Sequence, residues 1–302
     1  MEIRDKSAPY RSGFAVVIGR PNAGKSTLVN SAAGSKVAIT STRPQTTRHR
    51  IMGVRTDSVS QIIFVDTPGV VTAVNELDSM MEKIYVEESG QADVVLFVVD
   101  GSARCGDDDR KAAALLGRAF SDGTPVYLVL NKSDKTRGDG NYGEYRALAP
   151  FTAEFVVSAK DGTGLDKLLS AVSGVLPEGP QYFPPDMKTD QSPELFAAEV
   201  VRERILRLIS EEIPHGVFAH TEEMREGKAG DTLYIRVNVY VERESHKGII
   251  IGRNGRTLKR IGEESRKEIS GVLGRSVYLD LWVKVKEKWR NRRDLLRSWG
   301  YE

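Results

Sequence analysis

Gly19-Arg20-Pro21-Asn22-Ala23-Gly24-Lys25-Ser26-Thr27 is a glycine-punctuated turn that runs at once into a lysine and two hydroxyls. The spacing fits G-x-x-x-x-G-K-[ST], whose chemistry is the cradling of a polyphosphate. Backbone N–H groups of Asn22, Ala23 and Gly24 can face the phosphates, and the opening helix adds partial positive charge at its N-terminus. Lys25 can reach the β- and γ-phosphates, the Ser26 hydroxyl can ligate Mg²⁺, and Thr27 continues the cradle. Further along, Asp66-Thr67-Pro68-Gly69 ends an apolar run, where the second metal-facing carboxylate of a phosphate-transfer site belongs. Gly69 offers an N–H to a γ-phosphate. A strand-terminal aspartate before a turn is common on its own, and its distance behind the first motif is what singles this one out.

A base-reading pattern follows. Asn131-Lys132-Ser133-Asp134 fits N-K-x-D. Guanine presents N1–H and the exocyclic N2–H₂ side by side, and the single Asp134 carboxylate can accept from both, whereas adenine has no such pair. Asn131 can tie this loop to the phosphate loop, and the Lys132 stem can lie along the base. Ser158-Ala159-Lys160 is short and weak alone; in this company the Ala159 N–H is placed to reach the guanine O6. Isolated, the tetrad would be an ordinary polar turn after a strand.

Near the other end stands Gly248-Ile249-Ile250-Ile251-Gly252-Arg253-Asn254-Gly255, followed by Arg256, Leu258, Lys259, Arg260 and Ile261. An apolar turn, G-x-x-G and a second helix form the KH signature, whose loop clamps about four nucleotides of single strand by their backbone. Gly252, Arg253, Asn254, Gly255, Arg256 and Lys259 are the candidate RNA contacts. Trp282, Val283 and Val285, in the strand expected over 277–285, are expected to pack rather than to stack bases.

The elements that must position these residues are legible as apolar runs. Residues 14–18, 51–55, 61–65, 94–100, 125–130 and 155–157 read as strands of a buried, mostly parallel sheet. A helix is expected after Lys25 as far as Gly34, and another over 107–119 with an acidic first turn. Residues 41–50 are polar, aperiodic and hold Pro44, which predicts an exposed loop. Four prolines between Pro177 and Pro185 break the chain. Ser192-Pro193 then opens a helix that should stop before Pro214. Residues 216–220 and 232–241 predict two strands, the second alternating apolar and polar. The expected layout is a nucleotide domain over 10–178, a linker over 179–192 and an RNA domain with a basic end over 193–302.

The bounds agree. The chain of 302 residues suits two domains, and 40% hydrophobic content can build their cores. Cys105 is the one cysteine, so no intrachain disulfide forms, and a reducing compartment is expected. Residues 1–13 lack the apolar stretch of a signal peptide, and no apolar run is long enough to span a membrane. Net charge is +2 overall, yet residues 247–302 carry 15 Lys and Arg against 7 Asp and Glu. A basic end on an acidic body suits a polyanion, an RNA backbone or an anionic membrane surface; a solvated helical face would look the same by charge alone.

The ordered motifs of residues 10–178 resemble the translation-factor-related small GTPases. With both halves in view, the chain is similar to the Era-type GTPases over nearly its whole length, on Gly19–Thr27, Gln45–Arg50, Asp66–Gly69, Asn131–Asp134, Ser158–Lys160 and Leu281–Lys286. That resemblance implies an α/β fold with an N-terminal P-loop GTPase domain, a doubly wound mostly parallel sheet, and a C-terminal α+β KH domain of type II. It implies GTP and Mg²⁺ as cofactors, with Ser26 and Thr47 as metal ligands and Thr47 engaged only when the 42–50 loop closes on GTP. It implies binding to the single-stranded 3′ region of small-subunit ribosomal RNA, a role in 30S subunit assembly, and a monomer in the cytoplasm with peripheral membrane contact. No side chain is assigned as catalytic base, because Val70 and Val71 follow the D-x-x-G where related enzymes carry a water-orienting glutamine. Two competing readings are an ATP-using P-loop enzyme, against which Asp134 argues, and a pure RNA-binding module, against which Lys25 and Ser26 argue.

Overall fold

Apolar strands flanked by short loops build the first half of the molecule. The computed structural model describes residues 9–43, 45–70, 73–136, 138, 140–209, 216–227 and 232–301. The readings that fall on residues 1–8, Pro44, Val71 and Pro214 lie outside the described residues. The chain divides into two units. One comprises the chain up to Thr40 with Thr47–Ala73 and Asp78–Asp190; the other comprises Gln191–Glu302 with the short pieces Ser41–Thr46 and Val74–Leu77.

The first unit is a six-stranded sheet in the order β2-β3-β1-β4-β5-β6. Its strands are β1 (Arg11–Ile18), β2 (Ile51–Thr56), β3 (Ser60–Asp66), β4 (Val94–Asp100), β5 (Val126–Asn131) and β6 (Ala153–Val156). Only the β2–β3 pair is antiparallel; β3–β1–β4–β5–β6 run parallel. A parallel strand covered on both faces has no polar side, which is why these runs are continuously apolar. Ala15, Val17, Leu96 and Val98 pack on one face with Leu28, Val29, Leu168 and Val172. Val16, Ile18, Val95 and Phe97 pack on the other with Tyr85, Ala112 and Leu116. The covering helices are α1 (Lys25–Ala33), α2 (Glu76–Ser89), α3 (Asp107–Ala114), α4 (Gly117–Ser121), α5 (Tyr142–Arg146) and α6 (Leu165–Val175). The single helix expected over 107–119 is two, broken just before Gly117, a residue of low helix propensity.

One expectation needs amending. The 41–50 loop is not simply exposed: Thr47, Arg48 and His49 are buried. The proline-rich stretch packs on the first unit as far as Asp190. The Gln61 carboxamide accepts from the N–H groups of Tyr182 and Phe183 (2.8 and 3.0 Å) and donates to the Phe183 carbonyl (2.8 Å). Val54 N–H donates to Lys188 O at 2.8 Å, which covers the β2 edge.

In the second unit, α7 (Pro193–Leu208) starts at an Ser192 cap that accepts from Leu195 N–H, with Pro193 in its first turn. Strands β7 (Phe218–Glu226), β8 (Thr232–Val241) and β9 (Ser276–Val285) form a sheet in that order, β7–β8 antiparallel and β8–β9 parallel. Strand β7 runs beyond the expected 216–220 because Thr221–Glu226, too polar to announce a strand, still pair with β8 across a bulge. Between β8 and β9 come α8 (Glu244–Ile251) and α9 (Arg256–Leu273). The alternate residues Leu233, Ile235, Val237, Val239 and Val241 face Val201, Ile205, Ile250, Ile261 and Ile269 in one core. A final helix, α10 (Arg293–Ser298), closes the chain. Among the described residues no helix is long and apolar enough to cross a membrane.

Candidate functional site

The motifs at Gly19–Lys25, Asp66–Gly69, Asn131–Asp134 and Ser158–Lys160 lie at or just past the carboxyl ends of the parallel strands β1, β3, β5 and β6, where open α/β sheets hold ligands. After β1 the backbone turns through Gly19, Asn22 and Gly24 at positive φ (150°, 62° and 101°) before α1 begins at Lys25. Such a turn aims successive N–H groups into one concavity. Gly24 is constrained twice, by its left-handed φ and because a Cβ there would collide with the Asn131 carboxamide. Lys25 is buried and folds back, its Nζ donating to Gly19 O (3.0 Å) and Arg20 O (3.1 Å). Burial pulls its pKa from 10.5 down to about 8; the Asp66 carboxylate opposes the shift and Arg20 adds to it.

Ser26, Thr47 and Asp66 come together from three separate segments. Ser26 Oγ donates to Asp66 Oδ2 (2.6 Å) and lies 2.8 Å from Thr47 Oγ1, which itself reaches Asp66 Oδ2 at 3.1 Å. Burial pushes the Asp66 carboxyl up, against the pull of Lys25 and the two hydroxyls. Its Oδ1 is buried with no hydrogen-bond partner. Two hydroxyls and a carboxylate with an unsatisfied oxygen are the hard oxygen donors that suit Mg²⁺, so this donor set fits the ion. Thr67 donates to Val17 O (2.8 Å) and holds the D-x-x-G turn against β1; Gly69 lies against the Pro21 backbone, and Val70 N–H meets Gly19 O at 3.4 Å.

On the base side, Asn131 bridges two loops. Its Nδ2 donates to Ala23 O (2.9 Å) and its Oδ1 accepts from Ala159 N–H (3.0 Å). The N–H assigned from sequence to guanine O6 is therefore engaged by Asn131, and a base acceptor there would share it. Lys132, at φ 66°, donates through Nζ to Asn22 O (2.7 Å) and Asp100 Oδ2 (2.6 Å). Asp134 is exposed, and the Ser158 hydroxyl donates to its Oδ1 at 2.9 Å, fixing the carboxylate. Ser31 Oγ donates to Ala159 O (2.5 Å), and Lys160 is exposed beside it. Sequence reading missed Asp100, which anchors Lys132 and lies 3.7 Å from Arg20; Arg20 in turn pairs with Asp109 at 3.0 Å. The signal existed: Asp100 ends an apolar strand as Asp66 and Asn131 do.

The second site is the loop from α8 to α9. Gly252, Asn254 and Gly255 take positive φ (71°, 53° and 74°) in close succession. A Cβ on Gly252 would also strike the Thr257 hydroxyl. Arg253, Asn254, Arg256 and Lys259 are exposed around this turn. From Gly255 an open groove of about 510 Å³ runs between α9 and the edge strand β9, with Leu258, Gly262 and Leu281 as apolar floor and Lys259 and Arg266 on its rim. Of the three residues expected to pack, Val283 and Val285 do so, but Trp282 points outward, 54% exposed. Within the basic end, Trp289 is buried and Arg290 pairs with Glu242 at 2.8 Å.

A glycine-rich loop opening α1, the N-K-x-D tetrad after β5, and a G-x-x-G loop between two helices packed on a three-stranded sheet define a P-loop GTPase joined to a type II KH domain. Residues 14–132 match the family described as 50S ribosome-binding GTPase, and residues 212–290 match the KH domain. The chain is 43% identical to GTPase Era of Alkaliphilus metalliredigens over 296 residues, 97% of this chain and 99% of that one. GTPase Era of Clostridioides difficile is 42% identical over the same shares. Among solved structures, an Aquifex aeolicus Era variant bound to GDP and AlF₄⁻ is 38% identical at TM-score 0.91, covering 96% of this chain and 99% of that one. Era in complex with MgGDPNP and nucleotides 1506–1542 of 16S ribosomal RNA is likewise 38% identical, at TM-score 0.92, covering 97% and 99%. This chain belongs to the Era family of GTPases.

Proposed function

We propose that this protein binds GTP with Mg²⁺, hydrolyses it, and holds the single-stranded 3′ region of small-subunit ribosomal RNA during assembly of the 30S subunit. The observation that carries the reading is the convergence of Ser26, Thr47 and Asp66 beside Lys25, in a chain that also presents an exposed G-x-x-G loop. The Era relative solved with MgGDPNP and a 16S ribosomal RNA segment supports both halves at once.

On this reading residues 10–178 are the GTP domain and 193–302 the RNA domain. Asn22, Ala23, Gly24, Lys25, Ser26 and Thr27 hold the phosphates, with Gly69 at the γ position. Ser26 and Thr47 would ligate Mg²⁺, and the Asp66 carboxylate would help to hold it. Asn131, Lys132, Asp134, Ser158, Ala159 and Lys160 read and seat the guanine. Gly252, Arg253, Asn254, Gly255, Arg256 and Lys259 meet the RNA backbone. The bound Mg²⁺ neutralises charge on the transferring phosphate. Because Val70 offers no side-chain hydrogen bond to a water, intrinsic turnover should be slow, about 10⁻⁴–10⁻³ s⁻¹. The protein works as a monomer in the cytoplasm, and its net-positive end supports peripheral contact with an anionic membrane, which flotation with anionic vesicles tests.

The main test joins binding to chemistry in the full chain. A 16S fragment of nucleotides 1506–1542 should bind, the double change Arg253→Asp with Asn254→Asp should abolish that binding, and GTP affinity should stay the same. An unchanged RNA affinity in the double variant would remove the G-x-x-G loop from the site.

A further inference from the structure

The outer face of the β7-β8-β9 sheet is finished differently at its two ends. At one end the last residues of the chain cover it. Trp299 stacks on Phe218 (ring centroids 4.3 Å apart) and on Tyr240 (4.8 Å), and Trp289 and Tyr301 are buried beside Phe218. At the other end Tyr278 and Trp282 stay 61% and 54% exposed.

That open end is held in a fixed arrangement. Tyr278 stacks on Tyr234 across the β8–β9 pair, with centroids 5.8 Å apart and planes 13° from parallel. The Arg225 guanidinium lies 4.4 Å from the Tyr234 ring centroid. Asp280, between the two exposed rings on β9, accepts from Trp282 Nε1 (3.0 Å), Tyr234 OH (2.8 Å) and Arg236 Nε (3.2 Å). One carboxylate thus orients the indole, the phenol and a guanidinium. Cross-strand aromatic pairs do help a sheet hold together. That contribution accounts for Tyr234 with Tyr278, but not for the half-exposed indole of Trp282, fixed by Asp280 and stacked on no other ring among the described residues of this face.

Position decides what the face would take. Strand β9 is the sheet edge, and Tyr278 also lines the groove that begins at Gly255. Groove and aromatic face are therefore one surface that passes around the edge strand. Charge points the same way. Arg225 pairs with Glu223 (2.6 Å), and Arg236 with Glu223 (3.3 Å) and Asp280, so the two guanidiniums beside the rings are already engaged by carboxylates. Phosphates belong at Arg253, Arg256 and Lys259; bases, whose π-faces stack without regard to sequence, belong on the rings. Tyr278 and Trp282 are four strand residues apart, about 13 Å, so each would take a separate base.

We infer that Tyr278 and Trp282 stack unpaired bases of the single-stranded RNA held by the Gly252–Gly255 loop, extending the RNA site around the edge of β9. This rests on the RNA-binding reading above. The test compares two probes on the full chain: a four-nucleotide single strand and the 16S segment of nucleotides 1506–1542. Trp282→Ala and Tyr278→Ala should each weaken the long RNA about tenfold and leave the short one unchanged, whereas Trp282→Phe should keep most of the affinity. Long RNA should also quench a tryptophan emission component that is missing in Trp282→Phe. Full affinity of both alanine variants for the long RNA, while the Arg253→Asp, Asn254→Asp double variant loses it, would overturn the inference, leave the RNA reading standing, and give the face to a protein partner or to none. Equal losses on both probes would mean that the rings only support the fold, which also overturns it. Failure of the unmodified chain to bind either RNA would bring down the RNA reading itself.

Discussion

Lys25 is a buried ammonium whose cost depends on what faces it. The carbonyls of Gly19 and Arg20 accept from it, the Asp66 carboxylate favours its charge, and burial lowers its pKa to about 8. The unfolded lysine keeps its proton to about 10.5, so between about 8 and 10.5 the unfolded state binds more protons and stability must rise with pH. Denaturation of the nucleotide-free protein should show a gain of about 3 kcal/mol across that window. Lys25→Met should flatten it, and an identical pH profile in the variant would contradict the assignment. Triphosphate oxygens favour the charged form, so GTP affinity should fall as pH rises above about 8, because binding then takes up a proton. Lys25→Ala should weaken GTP by at least about tenfold, the scale of one charge-assisted hydrogen bond. At the base, Asp134→Asn should cost GTP affinity and turn preference toward xanthosine triphosphate, whose C2 oxygen needs a donor. Retained GTP affinity with no gain for the xanthine nucleotide would show that Asp134 does not read the base.

Elements were legible where one local rule dominated. Continuous apolar runs exposed the parallel strands, and glycine spacing exposed the two loops that carry them into chemistry. The 41–50 loop misled because its composition is polar throughout; the burial of Thr47 comes from hydroxyl and carboxylate partners contributed by α1 and β3, which no local window contains. The packing of the stretch before Asp190 was not legible for the same reason, since Gln61 supplies its hydrogen bonds from far away in sequence. Trp282 was misassigned although its signal was present: residues 277, 279 and 281 take one face of β9, and period two puts 282 on the other. These placements predict distinct losses. Thr47→Ala should slow hydrolysis much more than Val70→Ala, because one removes the hydroxyl proposed to ligate Mg²⁺ and the other a side chain that cannot bind water; single-turnover rates at saturating Mg²⁺ check this. Gly252→Ala should damage the RNA loop while leaving GTP affinity intact, since its φ of 71° and the Thr257 hydroxyl both exclude a Cβ.

For the whole molecule the account joins a slow GTP site to an RNA site on one chain. RNA affinity should drop steeply with salt, with a log–log slope of about −0.7 per phosphate neutralised. RNA bound at the Gly252–Gly255 loop should speed GTP hydrolysis, the water-orienting group that Val70 cannot supply being a backbone carbonyl, a bound ion or a part of the 42–50 loop. The most direct measurement is a paired titration of the full chain with GTP and with ATP, each with and without the 16S segment of nucleotides 1506–1542, read for both affinity and phosphate release. The account predicts tight GTP binding, negligible ATP binding, a slow basal rate and a faster rate with RNA. Equal affinity for ATP, or a fast basal rate that RNA leaves untouched, would contradict it.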